Sequence, residues 1–333
     1  VRPPGLKEIE MKLGVFLVLL GDRKLDEALS YVQGAGVDCV EIGVGGYPGD
    51  AHVDAAAYLA DASLRDALRA AVSSRDLEIS ALSCHGNPVH PQPEMAKNYD
   101  RVFRDTVRLA AELGVETVVT FSGQPGDQDG GRTPNWVVQT WPPEFGELLE
   151  WQWTEKVGPY WADAAAFAQG HGVKVAIELH PGFIAYNTAS FFRLRREAGG
   201  AGSNIYVNLD PSHLFWQGMD PLQCVEALGD AIAHVHAKDT ALHARNIALN
   251  GVLDTASYTK PAERSWLFRT PGYGHDALFW KQFVSQLRVV GYDGVLSIEH
   301  EDALMSLDEG FRKSCRFMRE VLMAEEPGAA WWA

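Results

Sequence analysis

Four short segments in the second half of this chain each end an apolar run in ionisable residues: VAIELHP at 175–181, YVNLDPSH at 206–213, AHVHAKD at 233–239 and LSIEHED at 296–302. Their apolar parts read as buried strands, which need no charge at their ends for stability. Glu178, Asp210, His236 and Glu299 stand at those ends. A single glutamate at a strand end is ordinarily solvated or salt-bridged. Four acid or imidazole endings converging on one mouth would repel and desolvate one another unless a cation sat between them. Three carboxylates and one imidazole suit a divalent metal: manganese first, with magnesium, cobalt or zinc as alternatives. On the third segment the choice lies between His234 and His236, which share one face of a strand. His236 is nearer the end and is taken as the ligand, with His234 packed behind it.

The elements that position these residues alternate along the whole chain. Runs rich in β-branched residues predict strands at Leu13–Leu20, Asp38–Gly43, Glu78–Ser83, Thr117–Ser122, Lys174–Glu178, Ile205–Asp210, Ala233–Lys238 and Gly294–Glu299. Amphipathic stretches predict helices at Asp26–Gly34, Leu64–Arg75, Glu94–Leu113, Pro159–Gln169, Ala189–Ala198, Pro221–Leu228, His275–Val290 and Leu307–Ala324. Glycines just ahead of strands, in AGVD, LGVE, HGVK and VGYD, read as helix C-caps and mark a repeated unit. Eight such units predict one (β/α)8 barrel over residues 12–324, with an extension at 1–11 and a tail at 325–333. An open doubly wound sheet would usually show fewer strands. The helix-to-strand links are short. The strand-to-helix links at 44–62, 84–93, 123–158 and 239–274 are long, irregular and rich in Gly, Pro and aromatics. Those links open on the face where barrel enzymes keep their sites. Residues 134–161 carry five of the ten tryptophans and are read as an interface or lid ahead of a sugar-stacking platform. The two tryptophans of the tail suggest docking on a neighbour.

The 333 residues fit a barrel with extended loops, and 46 % hydrophobic residues can fill a large core. A net charge of −15 opposes binding to a phosphate backbone, so nucleic acid is not the expected partner. No apolar run approaches the ~20 residues of a membrane span, and VFLVLL at 15–20 reads as a buried strand, not a leader. Cys39, Cys84, Cys224 and Cys315 lack paired spacing and read as free thiols in a reducing cytoplasm.

The set IELHP, NLDPSHL, HVHAKD and SIEHED resembles the xylose-isomerase-like barrel superfamily, whose members are often called sugar phosphate isomerases/epimerases. The resemblance spans about Leu13 to Leu322. It implies that Glu178, Asp210, His236 and Glu299 are metal ligands, and that Glu178 and Glu299 also exchange protons with a substrate carbon from opposite faces. It implies that His213 contacts a substrate oxygen near the metal. Lys238 and Asp239 match the tail of the HxHxKD segment, Lys238 as a substrate contact and either of them with a structural role open. The chemistry is coherent. Removing a proton beside a carbonyl needs a base, and a metal chelated by the carbonyl and hydroxyl stabilises the enediolate.

Further residues at the same mouth are candidates from their positions. His180, two residues after Glu178, is a candidate base or substrate contact. Glu41 in CVEIG, His85 and Asn87 in SALSCHGNP, and Arg269 and His275 in WLFRTPGYGHD are candidate substrate contacts, each equally readable as a hydrogen-bonded wall. The Gly-rich loop that carries Arg269 and His275 could hold a sugar hydroxyl or a phosphate, although it has no phosphate-loop motif. The leading expectation is a metal-dependent isomerase or epimerase of a sugar. The alternative is a lyase on the same scaffold: the larger subunit of a C-glycoside deglycosidase acting on 3-keto glucosides, or an inosose-type dehydratase. An abasic-site endonuclease is remote, because the fourth strand ends in FSG and offers no histidine for a trinuclear cluster. A non-catalytic binding protein conflicts with an intact ligand set. Expected partners are a carbohydrate or keto-glycoside substrate and either further copies of the chain or a small second subunit.

Overall fold

The computed structural model describes residues 11–325, together with 328 and 332. Residues 1–10 of the expected extension and six of the nine tail residues, Trp331 among them, therefore lie outside the described residues. Eight parallel strands close into a barrel: β1 (Lys12–Phe16), β2 (Cys39–Gly43), β3 (Glu78–Ser83), β4 (Thr117–Phe121), β5 (Lys174–Glu178), β6 (Ile205–Leu209), β7 (Ile232–Ala237) and β10 (Val295–Ile298). Neighbours follow chain order, and β10 closes the ring by pairing with both β7 and β1. Closure leaves no sheet edge unpaired. Two more strands, β8 (Asp239–Leu242) and β9 (Trp266–Arg269), form a separate antiparallel pair beside the barrel mouth.

The alternation of side chains across each strand divides the core in two. Outward residues such as Leu13, Val118, Ile177 and Leu296 pack under the helices in the main apolar layer. Inside the barrel, small residues fill the limited space, with Ala81, Val119, Ala176 and Ala233 forming a compact plug. Above that plug the interior turns polar. The four anticipated helix-end glycines, Gly36, Gly114, Gly172 and Gly291, have φ between 72° and 84°. A side chain would strain each of these left-handed turns.

Several stretches depart from the sequence expectation, among them the 44–62 link, which holds a helix at Ala55–Ala60. The apolar run at 15–20 is not one strand, because β1 ends at Phe16 and Leu17–Leu20 forms a 3-10 turn. Its three-residue period buries Leu17 and Leu20 while Val18 is exposed. Within 123–158 a helix, Glu144–Trp151, runs through a π-helical turn, Gln152–Val157, into the helix Gly158–Gly170. Pro159 looked like a helix start. The wider π turn sits just ahead of this residue, which lacks an N–H. Gln152 fastens the turn by donating to the carbonyls of Gly126 (2.9 Å) and Asn135 (2.8 Å). The 239–274 link is also ordered: it holds β8, a helix at Ala244–Asn250 and β9. Among the described residues no helix is long and apolar enough to cross a membrane.

Candidate metal centre

The carboxyl ends of β5, β6, β7 and β10 bring Glu178, Asp210, His236 and Glu299 together, each offering a ligand atom within 4.8 Å of the others. Asp210 is set by its own helix. It caps Pro211–Trp216, one oxygen accepting from the Ser212 amide at 2.8 Å. The other oxygen, Oδ2, is buried without a hydrogen bond and lies 3.1 Å from the Lys238 ammonium. His213, three residues on, places Nε2 3.3 Å from both Asp210 Oδ2 and Glu178 Oε1. Glu178 Oε2 is further held by His85 Nε2 at 2.9 Å and by the Asn208 amide at 3.2 Å.

His236 is oriented from below. Its Nε2 meets both oxygens of Glu41, at 3.1 and 3.2 Å. Glu41 is fully buried and also accepts from Ser83 Oγ and, at 2.7 Å, from Ser297 Oγ. Burial opposes charge on the ring, but Glu41, Glu299 and Glu178 hold it well above its ordinary value, and with Nε2–H donated to Glu41 the nitrogen that would serve a cation on losing its proton is Nδ1. That atom has no hydrogen bond, yet lies 3.1 Å from Glu299 and 3.4 Å from Glu178. His234 lies deeper in the barrel. Its Nδ1 bonds Asn208 Oδ1 at 2.9 Å, and it groups with Glu41 and His236 instead of with the four-residue cluster.

The titration of the cluster follows its surplus of negative charge. Burial alone would raise Glu41, but His236 and His234 hold it down to about 2. Burial likewise opposes ionisation of Glu178 and Glu299. His236 beside Glu178 and Lys238 beside Glu299 still hold both below the usual carboxylate range. Burial would lower Lys238, but Asp210, Glu299 and Glu301 hold it well above its ordinary value. Every carboxylate here favours a positive neighbour, and Lys238 is the one lysine among them. Asp210 Oδ2 and His236 Nδ1, both buried without a hydrogen bond, and an oxygen-rich donor set fit a divalent cation.

A cavity of about 200 Å³ lies over the cluster, with Glu178, Glu299, Lys238, His85, His180 and Phe121 in its wall. A larger one, about 630 Å³, opens at the opposite end of the barrel among Lys12, Glu78, Lys174 and Asp293. Convergence of ligands, not volume, selects the smaller as the site. His180 donates from Nδ1 to the Pro181 carbonyl at 2.6 Å, and burial beside His213 pushes it down to about 3. It is therefore a neutral imidazole in the wall.

Four expected substrate contacts have other partners. Glu41 lies beneath the cluster. Asn87 exchanges two 2.9 Å hydrogen bonds with the backbone of Gln124, tying the β3 and β4 loops. Arg269 donates to Asp302 at 3.0 Å. His275 bonds Asp239 at 2.8 Å and stacks on Phe215. Asp239 also accepts from the amides of Gly272, Gly274 and His275, so it anchors that glycine-rich loop. These side chains build and brace the mouth. Of the five tryptophans at 134–161, Trp153 and Trp161 are core residues, Trp141 is exposed and Trp136 lines a second cavity near the site. Sequence reasoning missed Asn208, Ser83, Ser297 and Glu301. Asn208 and Glu301 stand two residues from Asp210 and Glu299, the spacing at which a strand repeats a face.

Comparison with known proteins agrees with this architecture. The uncharacterized protein YfiH of Bacillus subtilis (strain 168) is 35 % identical over 315 residues, covering 94 % of this chain and 99 % of the relative. Among solved structures, the probable 3-DHS dehydratase AsbF from Bacillus anthracis superposes with a TM-score of 0.62 at 14 % identity, over 93 % of this chain and 99 % of that one. The 3-keto-D-glucoside 4-epimerase YcjR from E. coli superposes with a TM-score of 0.61 at 15 % identity, over 93 % and 100 %. At these identities the structural likeness is one of fold. The sequence profile of the xylose isomerase-like TIM barrel family matches residues 29–321, and the chain belongs to that family.

Proposed function

We propose that the protein is a divalent-metal-dependent epimerase or isomerase of a keto sugar, moving a proton on and off the carbon beside a carbonyl. One observation carries this reading: Glu178 and Glu299 both belong to the buried cluster and both line the cavity above it. When bound, a divalent ion of the manganese type supplies Lewis-acid polarisation of the substrate carbonyl. Glu178, Asp210, His236 and Glu299 would hold it. The protein's own work is then proton transfer and positioning. His85 and Asn208 fix Glu178 in one orientation, and Lys238 fixes Glu299 through a 2.7 Å contact. Both carboxylates are held ionised and can each act as base. A proton taken by one and returned by the other from the opposite side inverts the carbon. His213, 3.3 Å from both Glu178 and Asp210, would donate to a substrate oxygen beside the cluster.

The similarity of fold to the 3-keto-D-glucoside 4-epimerase makes 3-keto glucosides suitable first substrates beside free ketohexoses. The test is incubation with added Mn in deuterium oxide, followed by NMR and mass spectrometry. Deuterium at a carbinol carbon together with a new diastereomer is the expected result. Loss of water or release of an aglycone assigns the same carboxylates to a lyase. Full turnover by Glu299→Gln overturns the assigned role of Glu299.

A further inference from the structure

The cavity over the ligand cluster adjoins a second one of about 250 Å³. His180 lines both, and His213, 3.3 Å from Glu178, lines the second, so the two spaces meet at His180. Separate elements build the new wall. The helix Pro211–Trp216 brings Trp216, β9 brings Trp266 and Phe268, the segment between β8 and β9 brings Tyr258, and the link after β4 brings Trp136.

The wall is held rigid. Trp216 and Trp266 stack at 4.7 Å and 5°, and Tyr258 lies nearly parallel to Phe268. The buried Arg264 guanidinium lies 3.8 Å from the Tyr258 centroid and 4.5 Å from that of Trp266. Thr240 ties the hairpin to the helix by donating to the Ser212 carbonyl at 2.8 Å. Beside the rings the lining carries the polar side chains of Asp254, Thr255 and His213. A pyranose ring suits such a wall, offering C–H groups to the aromatic surfaces and hydroxyls to these polar groups.

We propose that this aromatic cavity is a subsite for a second sugar ring, joined through a glycosidic bond to the keto sugar at the cluster. The substrate class is then a keto disaccharide, not a free monosaccharide. This rests on the proton-transfer reading above.

The experiment compares three probes by Mn-supported deuterium exchange: 3-keto-glucose, a 3-keto disaccharide made from maltose, and phenyl 3-keto-glucoside. The disaccharide is expected to exceed the free sugar in kcat/KM by about tenfold or more, the gain of one ring packed on aromatics. Tyr258→Ala, at a half-exposed position, is expected to shrink that ratio. Equal values for the two sugars overturn the proposal, and so does a higher value for the phenyl glucoside than for the disaccharide. In parallel, tryptophan fluorescence of the wild-type protein is titrated with maltose and with glucose. A saturable change with maltose alone is expected. If no probe exchanges deuterium, the proton-transfer reading fails and the titration still decides the subsite: binding of maltose over glucose sustains it, and no binding overturns it.

Discussion

Glu41 touches no expected ligand position except His236, so its replacement isolates how strongly orientation of one imidazole governs the site. Glu41 accepts from His236 Nε2 through both oxygens and from two serine hydroxyls, with no exposure to solvent. In Glu41→Gln the amide oxygen still accepts one hydrogen bond, and the serines can rotate to accept from the amide nitrogen. In Glu41→Ala the Nε2–H has no acceptor, and either ring nitrogen can carry the proton. Loss of such a partner typically weakens metal binding by about 10–100-fold. The glutamine variant belongs near the lower end and the alanine variant near the upper. These correspond to about 1.4 and 2.8 kcal/mol. Isothermal titration of the metal-stripped protein with Mn measures both, and circular dichroism verifies that each variant is folded. Wild-type affinity in both folded variants would refute the argument that Glu41 sets the tautomer of His236.

Other consequences are open to simple assays. Removal of metal by a chelator should lower Tm, and Mn at about 100 times its Kd should restore roughly 2.7 kcal/mol; a Tm indifferent to both would count against a resident ion. Asp302 accepts from Arg269 Nε, from both the amide and the hydroxyl of Thr270, and from the Leu304 amide. Burial would raise Asp302, but these partners hold it below its ordinary value. The resulting stability is present above the ordinary aspartate range and lost as pH falls through the depressed value. Asp302→Asn should therefore cost about 2–3 kcal/mol at neutral pH, with wild type and variant converging in acid by urea denaturation. Burial pushes Cys39, Cys84 and Cys315 up to about 12 and Cys224 to about 11. All four thiols should resist iodoacetamide in the native protein and react once it is unfolded; rapid native labelling of any one contradicts its burial.

The barrel and the four-residue cluster at its mouth were legible because both obey short periods. Strands of four to six residues alternate with amphipathic helices, and Glu178, Asp210, His236 and Glu299 each sit where an apolar strand stops. What stayed hidden depends on contacts between distant segments. Nothing near Asn87 announces that it pairs with Gln124, and nothing near Arg269 announces Asp302. The β8–β9 pair escaped notice because two four-residue strands are separated by more than twenty residues that carry no alternation. The π turn before Pro159 was hidden for the opposite reason: the local signal was strong, and the buried amide of Gln152 overrode it.

The strand that closes the ring also completes the four-residue cluster at the mouth. Until β10 is in place, β1 and β7 each keep one bare edge, and Glu299 is absent from beside His236. During synthesis the ribosome must therefore deliver almost the whole barrel before its two ends can meet, a slow route that leaves adhesive edges exposed. With a cation bound at the cluster, closure and ion capture would become a single late event. A cation that binds only the finished ring would work as a latch, draining the population of open chains as it forms. Refolding from urea should then give more soluble protein with Mn in the buffer than with chelator, and equal yields would show that the ring shuts without help.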